Sequence, residues 1–261
     1  MATEFLVEAE GDVAVVRLAG TSGNVLDAAV LRAGAKLARD LATERPAALV
    51  VTGGDRFFCA GLDLKALSIL DKAGQREVVA GFNEFYAAWY ALPFPVIGAL
   101  SGHAVAGGLV LALCTDYRVG SVDGYFGLSE VRVGVAMPIV VDAICRAELP
   151  AHAARVLLLG GELVDAATAL RLGVLDETVG EDVVVARAVE LARARAELPR
   201  AAYADLKEQQ RGGLRAQFDD WNARQSDPAL TAWFGPETAA AAAAILRTPA
   251  ERRNRKESPS A

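Results

Sequence analysis

An α/β fold built on a largely parallel sheet is what this sequence predicts, and three observations predict it. Two β-rich runs flank a Gly-Asp pair near the N-terminus, short apolar runs then alternate with helically spaced segments, and beyond about Asp182 only helical patterning remains.

Phe5 to Ala9 and Val13 to Leu18 are the two runs, and Gly11 and Asp12 between them supply a turn, so they read as a hairpin. Asn24 is placed to cap a helix whose apolar positions Leu26, Val30, Ala33, Leu37 and Leu41 recur at helical spacing and stop before Pro46. Ala48 to Thr52 then reads as a buried strand. A loop from Phe57 to Leu64 leads to a helix from about Gln75 to Leu92 with Val78, Phe82, Phe85 and Trp89 on one side, and Pro93 and Pro95 stop it. Val96 to Leu100 is a further strand, Ser101 to Gly108 a turn of small residues, and Leu109 to Cys114 an apolar helix. Tyr117 to Val119 and Tyr125 to Phe126 read as short strands, followed by helices over Val140 to Ala147, Ala151 to Leu159 and Asp165 to Leu172.

This organisation divides the chain into an α/β core over 1–185 and a helical portion over 186–261, with breaks expected at Pro199, at Gly212 and Gly213, and at Pro228. Trp221, Trp233 and Phe234 are too apolar for a free tail, so these helices are expected to pack on the core or a neighbouring subunit. The alanine run Ala239 to Ala244 reads as ordinary helix. From about residue 250 a frayed terminus is expected, with five basic residues between Arg247 and Lys256.

Composition narrows the function classes. With 53% hydrophobic and 23% charged residues over 261 positions the chain can bury a sizeable core, and a net charge of -6 supplies no general basic field for nucleic acid or anionic membrane. Cys59, Cys114 and Cys145 are odd in number and widely spaced, and two histidines cannot support most zinc patterns, so neither disulfides nor a metal is expected. The start MATEFLVEAE carries acids where a leader needs basic residues, and no apolar run approaches spanning length. A cytoplasmic or comparable reducing compartment is the expectation.

The chain has no GxSxG, GxGxxG, GxxxxGK[ST] or HExxH motif, which removes the usual support for serine hydrolase, nucleotide-binding and zinc-peptidase readings. Three loops remain. Asp55 to Leu67 contains Phe58-Cys59-Ala60-Gly61-Leu62-Asp63-Leu64, Ser101 to Ser121 contains Gly102-His103-Ala104-Val105-Ala106-Gly107-Gly108, and Tyr125 to Pro138 contains Gly127 and Gly134 around Glu130. In this order they resemble the crotonase (enoyl-CoA hydratase/isomerase) family, whose patterns are close to F-x-A-G-x-D-L, G-x-A-x-x-G-G and G-x-x-E-x-x-x-G, over roughly Phe5 to Val185.

The resemblance implies a ββα superhelix that assembles as a trimer or a dimer of trimers, with an acyl-CoA thioester as substrate and no cofactor beyond its coenzyme A. The helical portion would then serve trimerisation or close the pocket. The resemblance also implies an oxyanion hole from the N–H groups of Leu62 and Gly107, with Gly108 beside it, and Ala60, Leu62, Asp63, Leu64 and Lys65 along the coenzyme A path. Glu130 falls where the family keeps a catalytic carboxylate, and its apolar neighbours Phe126, Leu128, Val131 and Val133 are expected to raise its pKa. Hydratases of the family carry a second glutamate where Val110 stands here, whereas AGGLVLALCTDYR looks like the monofunctional 3-enoyl-CoA to 2-enoyl-CoA isomerases, for which one base suffices. A hydratase with a single glutamate and a non-catalytic acyl-CoA binder are the alternatives, and relatives that decarboxylate, dehalogenate or hydrolyse thioesters share the oxyanion device. Asp142 is a lesser proton-carrier candidate. His103, His152, Asp116 and Arg118 are expected to be structural, and Cys59 has no activating base beside it.

Overall fold

The computed structural model describes residues 2–21, 23–63, 70–224, 227–235 and 238. The chain opens with β1 (Glu4–Glu10) and β2 (Val13–Ala19), an antiparallel hairpin with Gly11 in the left-handed region at its turn. Next come α1 (Ala28–Glu44), β3 (Ala48–Thr52), β4 (Phe57–Cys59), α2 (Lys72–Tyr90), β5 (Val96–Leu100), β6 (His103–Val105) and α3 (Gly107–Leu113). After β7 (Tyr117–Ser121) and β8 (Tyr125–Gly127) the chain makes a 3-10 turn, Glu130–Val133. There follow α4 (Ile139–Glu148), α5 (Ala151–Ala154) running into a π turn over Arg155–Leu159, β9 (Leu163–Asp165), α6 (Ala166–Arg171) and β10 (Glu177–Val179). The last described helices are α7 (Val184–Ala196), α8 (Arg200–Arg224) and α9 (Ala229–Trp233).

Strand pairs explain the architecture. In three successive units, β3-β4, β5-β6 and β7-β8, the first strand joins a six-stranded sheet of order β1-β2-β3-β5-β7-β10 and the second joins a four-stranded sheet of order β4-β6-β8-β9. A helix follows each pair, giving a repeated ββα path. Within the large sheet every pairing after the hairpin is parallel. Such strands are covered on both faces, which is why β3 and β5 are buried at every residue and read as continuous apolar runs. One face meets α7, whose Val184, Ala188 and Ala192 pack on Val15, Val50, Ile97 and Val119. The other face meets α1 to α4 in the main core around Trp89, Phe85, Tyr86 and Phe58.

The structure corrects the sequence reading at four places. Asp27, not Asn24, caps α1, its side chain accepting from Val30 N at 2.9 Å. Asn24 has φ 54° and donates instead to the carbonyls of Phe57 and Phe58, both at 3.1 Å, strapping β4 in place. β4 and β6 were expected as loop and turn; three residues are too few for periodicity to show, and their neighbours in the small sheet supply the pairing. Finally α8 runs straight through Gly212 and Gly213. Two glycines cost a helix about 1 kcal/mol each, and the helix is held from its buried side by Lys207 and Arg211, which pair with Asp116 at 2.7 and 3.2 Å.

The expected structural roles of several polar residues are visible. Arg118 donates to Val174 O and pairs with Asp176, and His103 Nδ1 accepts from Tyr125 N at 3.1 Å while packing edge-on against Phe57. His152 is exposed on α5. Among the described residues no helix is long and apolar enough to cross a membrane. The alanine run, the basic tail and the Trp221 side chain lie outside the described residues.

Candidate active site

Three strands of the small sheet, β4, β6 and β8, lie parallel and adjacent, so their C-terminal ends deliver three loops to one place. Carboxyl ends of parallel strands are where open α/β architectures bind ligands. Here the delivered residues are Ala60 to Leu62, Ala106 and Gly107, and Ser129 and Glu130, and all except Gly61 line a single pocket. The remaining wall is Phe82 and Tyr86 from α2, Val133 from the 3-10 turn, Val135, Met137 and Pro138 from the segment after it, Val141 from α4 and Trp233 from α9.

The first loop is held at three points: Ala60 N donates to Gly23 O at 2.9 Å, Leu26 N to Gly61 O at 2.8 Å and Asp63 N to Leu26 O at 2.9 Å. Leu62 sits between the last two, and no described residue accepts its N–H. Gly61 has φ +80°, and a Cβ there would lie 2.9 Å from both Gly107 N and the Ala106 methyl. Only glycine meets both demands. The close approach also brings the Leu62 and Gly107 backbones side by side.

The second loop ends on Ala106, whose φ of 53° and ψ of -130° is a conformation that costs an L residue on the order of 1–3 kcal/mol. Its N–H is tied to Gly127 O at 2.8 Å, and the sharp turn lets α3 begin two residues earlier than the sequence suggested. Gly107 therefore opens the helix, where its N–H has no partner within the helix and the positive end of the peptide dipoles is directed. Gly108 packs so tightly on β4 that a Cβ would lie 2.0 Å from Cys59 O.

Glu130 begins the 3-10 turn. Its Oε2 is buried without a hydrogen-bond partner, one of few such atoms among the described residues. Burial pushes its pKa up to about 7, opposed by a hydrogen bond from its own backbone N–H. Of the apolar neighbours in sequence, Phe126, Leu128 and Val133 are buried and Val133 lines the pocket with Glu130, whereas Val131 is 52% exposed. Arg132 offers no counter-charge, since its guanidinium turns to the carbonyls of Gly160 and Gly161.

The structure thus brings together Ala60, Leu62, Gly107 and Glu130. Gly108 and Asp63 stand behind them: Gly108 shapes the α3–β4 contact and Asp63 fixes the loop by its N–H. Leu64 and Lys65 lie outside the described residues. Val110 is fully buried in α3 and does not line the pocket. Asp142 does not line it either, being paired with Arg146 at 2.7 Å. Cys59 is a buried thiol with a pKa pushed up to about 12 by desolvation, which leaves it unreactive as a nucleophile.

Sequence reasoning missed Tyr86 and the pocket role of Trp233. Tyr86 follows Phe82 by four residues, so helical spacing puts both on one face of α2, and their rings stack at 5.6 Å. Its partner, the Gly107 carbonyl, is distant in sequence and leaves no local signal.

Residues 8–228 match a family model described as enoyl-CoA hydratase/isomerase. The peroxisomal enoyl-CoA delta isomerase 2 of Arabidopsis thaliana is 38% identical over 156 residues, 56% of this chain and 65% of that protein. The probable enoyl-CoA hydratase echA17 of Mycobacterium avium is 34% identical over 175 residues, 66% of each. The match thus spans just under two thirds of the length of these relatives. Among solved structures, the probable enoyl-CoA hydratase EchA3 of Mycobacterium tuberculosis superimposes with a TM-score of 0.77 at 29% identity, covering 84% of this chain and 95% of that one. Human mitochondrial delta3-delta2-enoyl-CoA isomerase, at 22% identity, shares the fold with a TM-score of 0.86 over 97% of this chain and 99% of that one.

Proposed function

Because this chain belongs to the enoyl-CoA hydratase/isomerase (crotonase) family, we propose that it converts 3-enoyl-CoA to 2-enoyl-CoA with Glu130 as its single proton carrier. The observation that carries this reading is that Glu130 is the one carboxylate among the described residues lining the pocket, while Val110 is buried away from it. Water addition calls for groups that activate water and deliver a proton together; a double-bond shift needs one base that gives back what it takes.

In this mechanism the thioester oxygen sits between the N–H groups of Leu62 and Gly107. The Glu130 carboxylate removes a proton from C2, and the electron pair moves onto the thioester as a dienolate. The same carboxyl returns the proton at C4, leaving the double bond between C2 and C3. A pKa near 7 suits both transfers, because the group is neither too weak a base nor too weak an acid near neutrality. Each oxyanion donor of this kind is worth roughly a hundredfold to a thousandfold in rate.

The reading includes no cofactor beyond the coenzyme A of the substrate, no nucleic-acid or membrane partner, and a cytoplasmic setting. It also includes assembly as a trimer or a dimer of trimers, supported by exposed Val131, Leu159 and Leu163 near the β8–β9 edge. The test is an assay of 3-hexenoyl-CoA against 2-hexenoyl-CoA. Formation of 2-hexenoyl-CoA that is lost in Glu130→Gln supports the proposal. Efficient hydration of 2-hexenoyl-CoA instead makes the protein a hydratase, and tight binding without C2 proton exchange in heavy water makes it a non-catalytic binder.

A further inference from the structure

We propose that Trp233 is the end-stop of the acyl pocket and restricts the substrate to short-chain acyl thioesters; this rests on the function proposed above. The reacting groups occupy one part of the pocket, with Ala60, Leu62, Gly107 and Glu130 around the thioester. An acyl chain continuing past C4 meets the apolar remainder of the lining, in which Phe82, Tyr86 and Trp233 are the aromatic side chains and Val133, Val135, Met137, Pro138 and Val141 the aliphatic ones.

Trp233 is fixed there by several independent contacts. Its indole N–H donates to Ala136 O at 2.7 Å, its ring stands edge-on to Phe82 with centroids 6.3 Å apart, and the residue is 3% exposed. The segment that carries it is pinned through Asp227, whose Oδ2 accepts from Asn83 Nδ2 at 2.8 Å and Ile139 N at 2.9 Å, while its Oδ1 accepts from Ala229 N at 2.9 Å. Asn83 returns the link by accepting from Val140 N at 3.0 Å. One buried amide and one carboxylate therefore lock α2, α4 and α9 together around the pocket end.

The opposite wall is equally unyielding. Phe82 and Tyr86 stack at 5.6 Å, and the Tyr86 hydroxyl is held on Gly107 O. Met137 is the adaptable side chain in this group, since an unbranched thioether can shift between rotamers at little cost. The whole pocket, the part around Glu130 included, holds about 90 Å³, against roughly 150 Å³ for an apolar cavity that takes up a benzene ring. A chain of a few carbons fits; a long one requires displacement of a hydrogen-bonded indole.

Each methylene a pocket cannot place is worth roughly tenfold or more in discrimination. The test measures binding of butanoyl-, hexanoyl-, octanoyl- and dodecanoyl-CoA by calorimetry, together with kcat/KM for 3-hexenoyl- and 3-dodecenoyl-CoA. The wild-type protein is expected to bind the two shorter esters at least about tenfold tighter than dodecanoyl-CoA. Trp233→Ala is expected to erase that preference, raising dodecanoyl-CoA affinity relative to hexanoyl-CoA by at least about tenfold. Trp233→Phe, which keeps an aromatic ring and protects folding, is expected to move the cut-off partway. Wild-type affinity that is flat or rises with chain length overturns the inference, as does a folded Trp233→Ala or Trp233→Phe variant with unchanged length preference. Length-dependent binding without turnover leaves the end-stop standing and removes the isomerase reading, so the two fail separately.

Discussion

The Tyr86 hydroxyl donates to the Gly107 carbonyl at 2.7 Å, and a side chain at Gly107 would meet that hydroxyl at 2.6 Å. Tyr86 therefore holds, by its carbonyl, the peptide whose N–H is proposed to face the substrate oxygen. Both groups are buried, so deleting the hydroxyl leaves the carbonyl without this donor at a cost of about 1–3 kcal/mol. Tyr86→Phe keeps the ring stacked on Phe82 and removes only the hydroxyl. We expect kcat to fall about tenfold to a hundredfold with KM within about twofold, because the loss concerns charge that develops after binding. Steady-state kinetics check this; an unchanged kcat in a folded variant removes Tyr86 from the mechanism.

Glu130 sets the pH dependence. The folded protein holds its pKa up to about 7 against an ordinary value of 4.5, because burial disfavours the charged form. The base works ionised, so kcat/KM is expected to rise tenfold per pH unit below about 7 and level off above it. Stability runs the other way: the folded state binds the extra proton, so this group's contribution is complete below pH 4.5 and is lost as pH rises through 7. Glu130→Gln, which stays neutral, should be more stable than the wild type at pH 8 by up to about 3 kcal/mol and indistinguishable from it near pH 4. Denaturant titrations at the two pH values would refute the assignment if the difference were absent or reversed.

Gly108 reports on the join between α3 and β4. An added Cβ would sit 2.0 Å from the Cys59 carbonyl oxygen, backbone against backbone, with no flexible side chain to give way. Gly108→Ala is expected to push α3 off the small sheet, cost about 2 kcal/mol or more, and move Gly107 away from Leu62. Thermal melts and turnover should fall together. Normal activity in this variant would mean that the two N–H groups do not depend on this contact for their alignment.

How legible all this was in the sequence follows from the range of each signal. Ala48 to Thr52 and Val96 to Leu100 could be bounded to the residue because buried parallel strands are continuous apolar runs ended by Gly and Pro or Ser. Glu130, Leu62 and Gly107 could be placed because three short motifs fixed them by position. Asn24 misled because a polar residue before a helical pattern is the usual cap signal, whereas here it reaches Phe57 and Phe58, more than thirty residues away. Trp233 was legible as apolar, but its meeting with Phe82 and Ala136 depends on Asp227 and Asn83 finding each other across 144 positions. No local pattern encodes such a pairing.

Asp116 anchors the C-terminal helices to the core. Its carboxylate accepts from Val96 N at 2.8 Å, Tyr203 hydroxyl at 3.0 Å and Lys207 at 2.7 Å, and pairs with Arg211 at 3.2 Å. Lys207 and Arg211 are both almost wholly buried, and Glu148, 3.3 Å from Arg211, is the remaining acid beside them. Asp116→Ala leaves buried cations under-compensated, a loss of about 3–5 kcal/mol, or roughly 10 °C in melting temperature for a chain of this size. The matching Asp116→Asn should lose less, because it keeps the Val96 and Tyr203 contacts. Equal melting temperatures for both variants would show that the charge, not the Val96 and Tyr203 contacts, sets the anchor.

Val110 offers the sharpest discrimination between moving a proton and adding water. It lies three residues past Gly107, on the same helix face, and valine there does not line the pocket. A glutamate is long enough to carry a carboxyl toward Glu130. The two acids would then repel, and the pair's upper apparent pKa should climb above the value of about 7 held by Glu130 alone. We expect Val110→Glu to lower the melting temperature, since it buries a polar group in α3. We also expect it to raise hydration of 2-hexenoyl-CoA relative to isomerisation of 3-hexenoyl-CoA by at least about a hundredfold, the scale of one positioned acid or base. A folded variant with the shifted pH profile but no gain in hydration would mean that one carboxylate is not what limits this pocket to isomerisation.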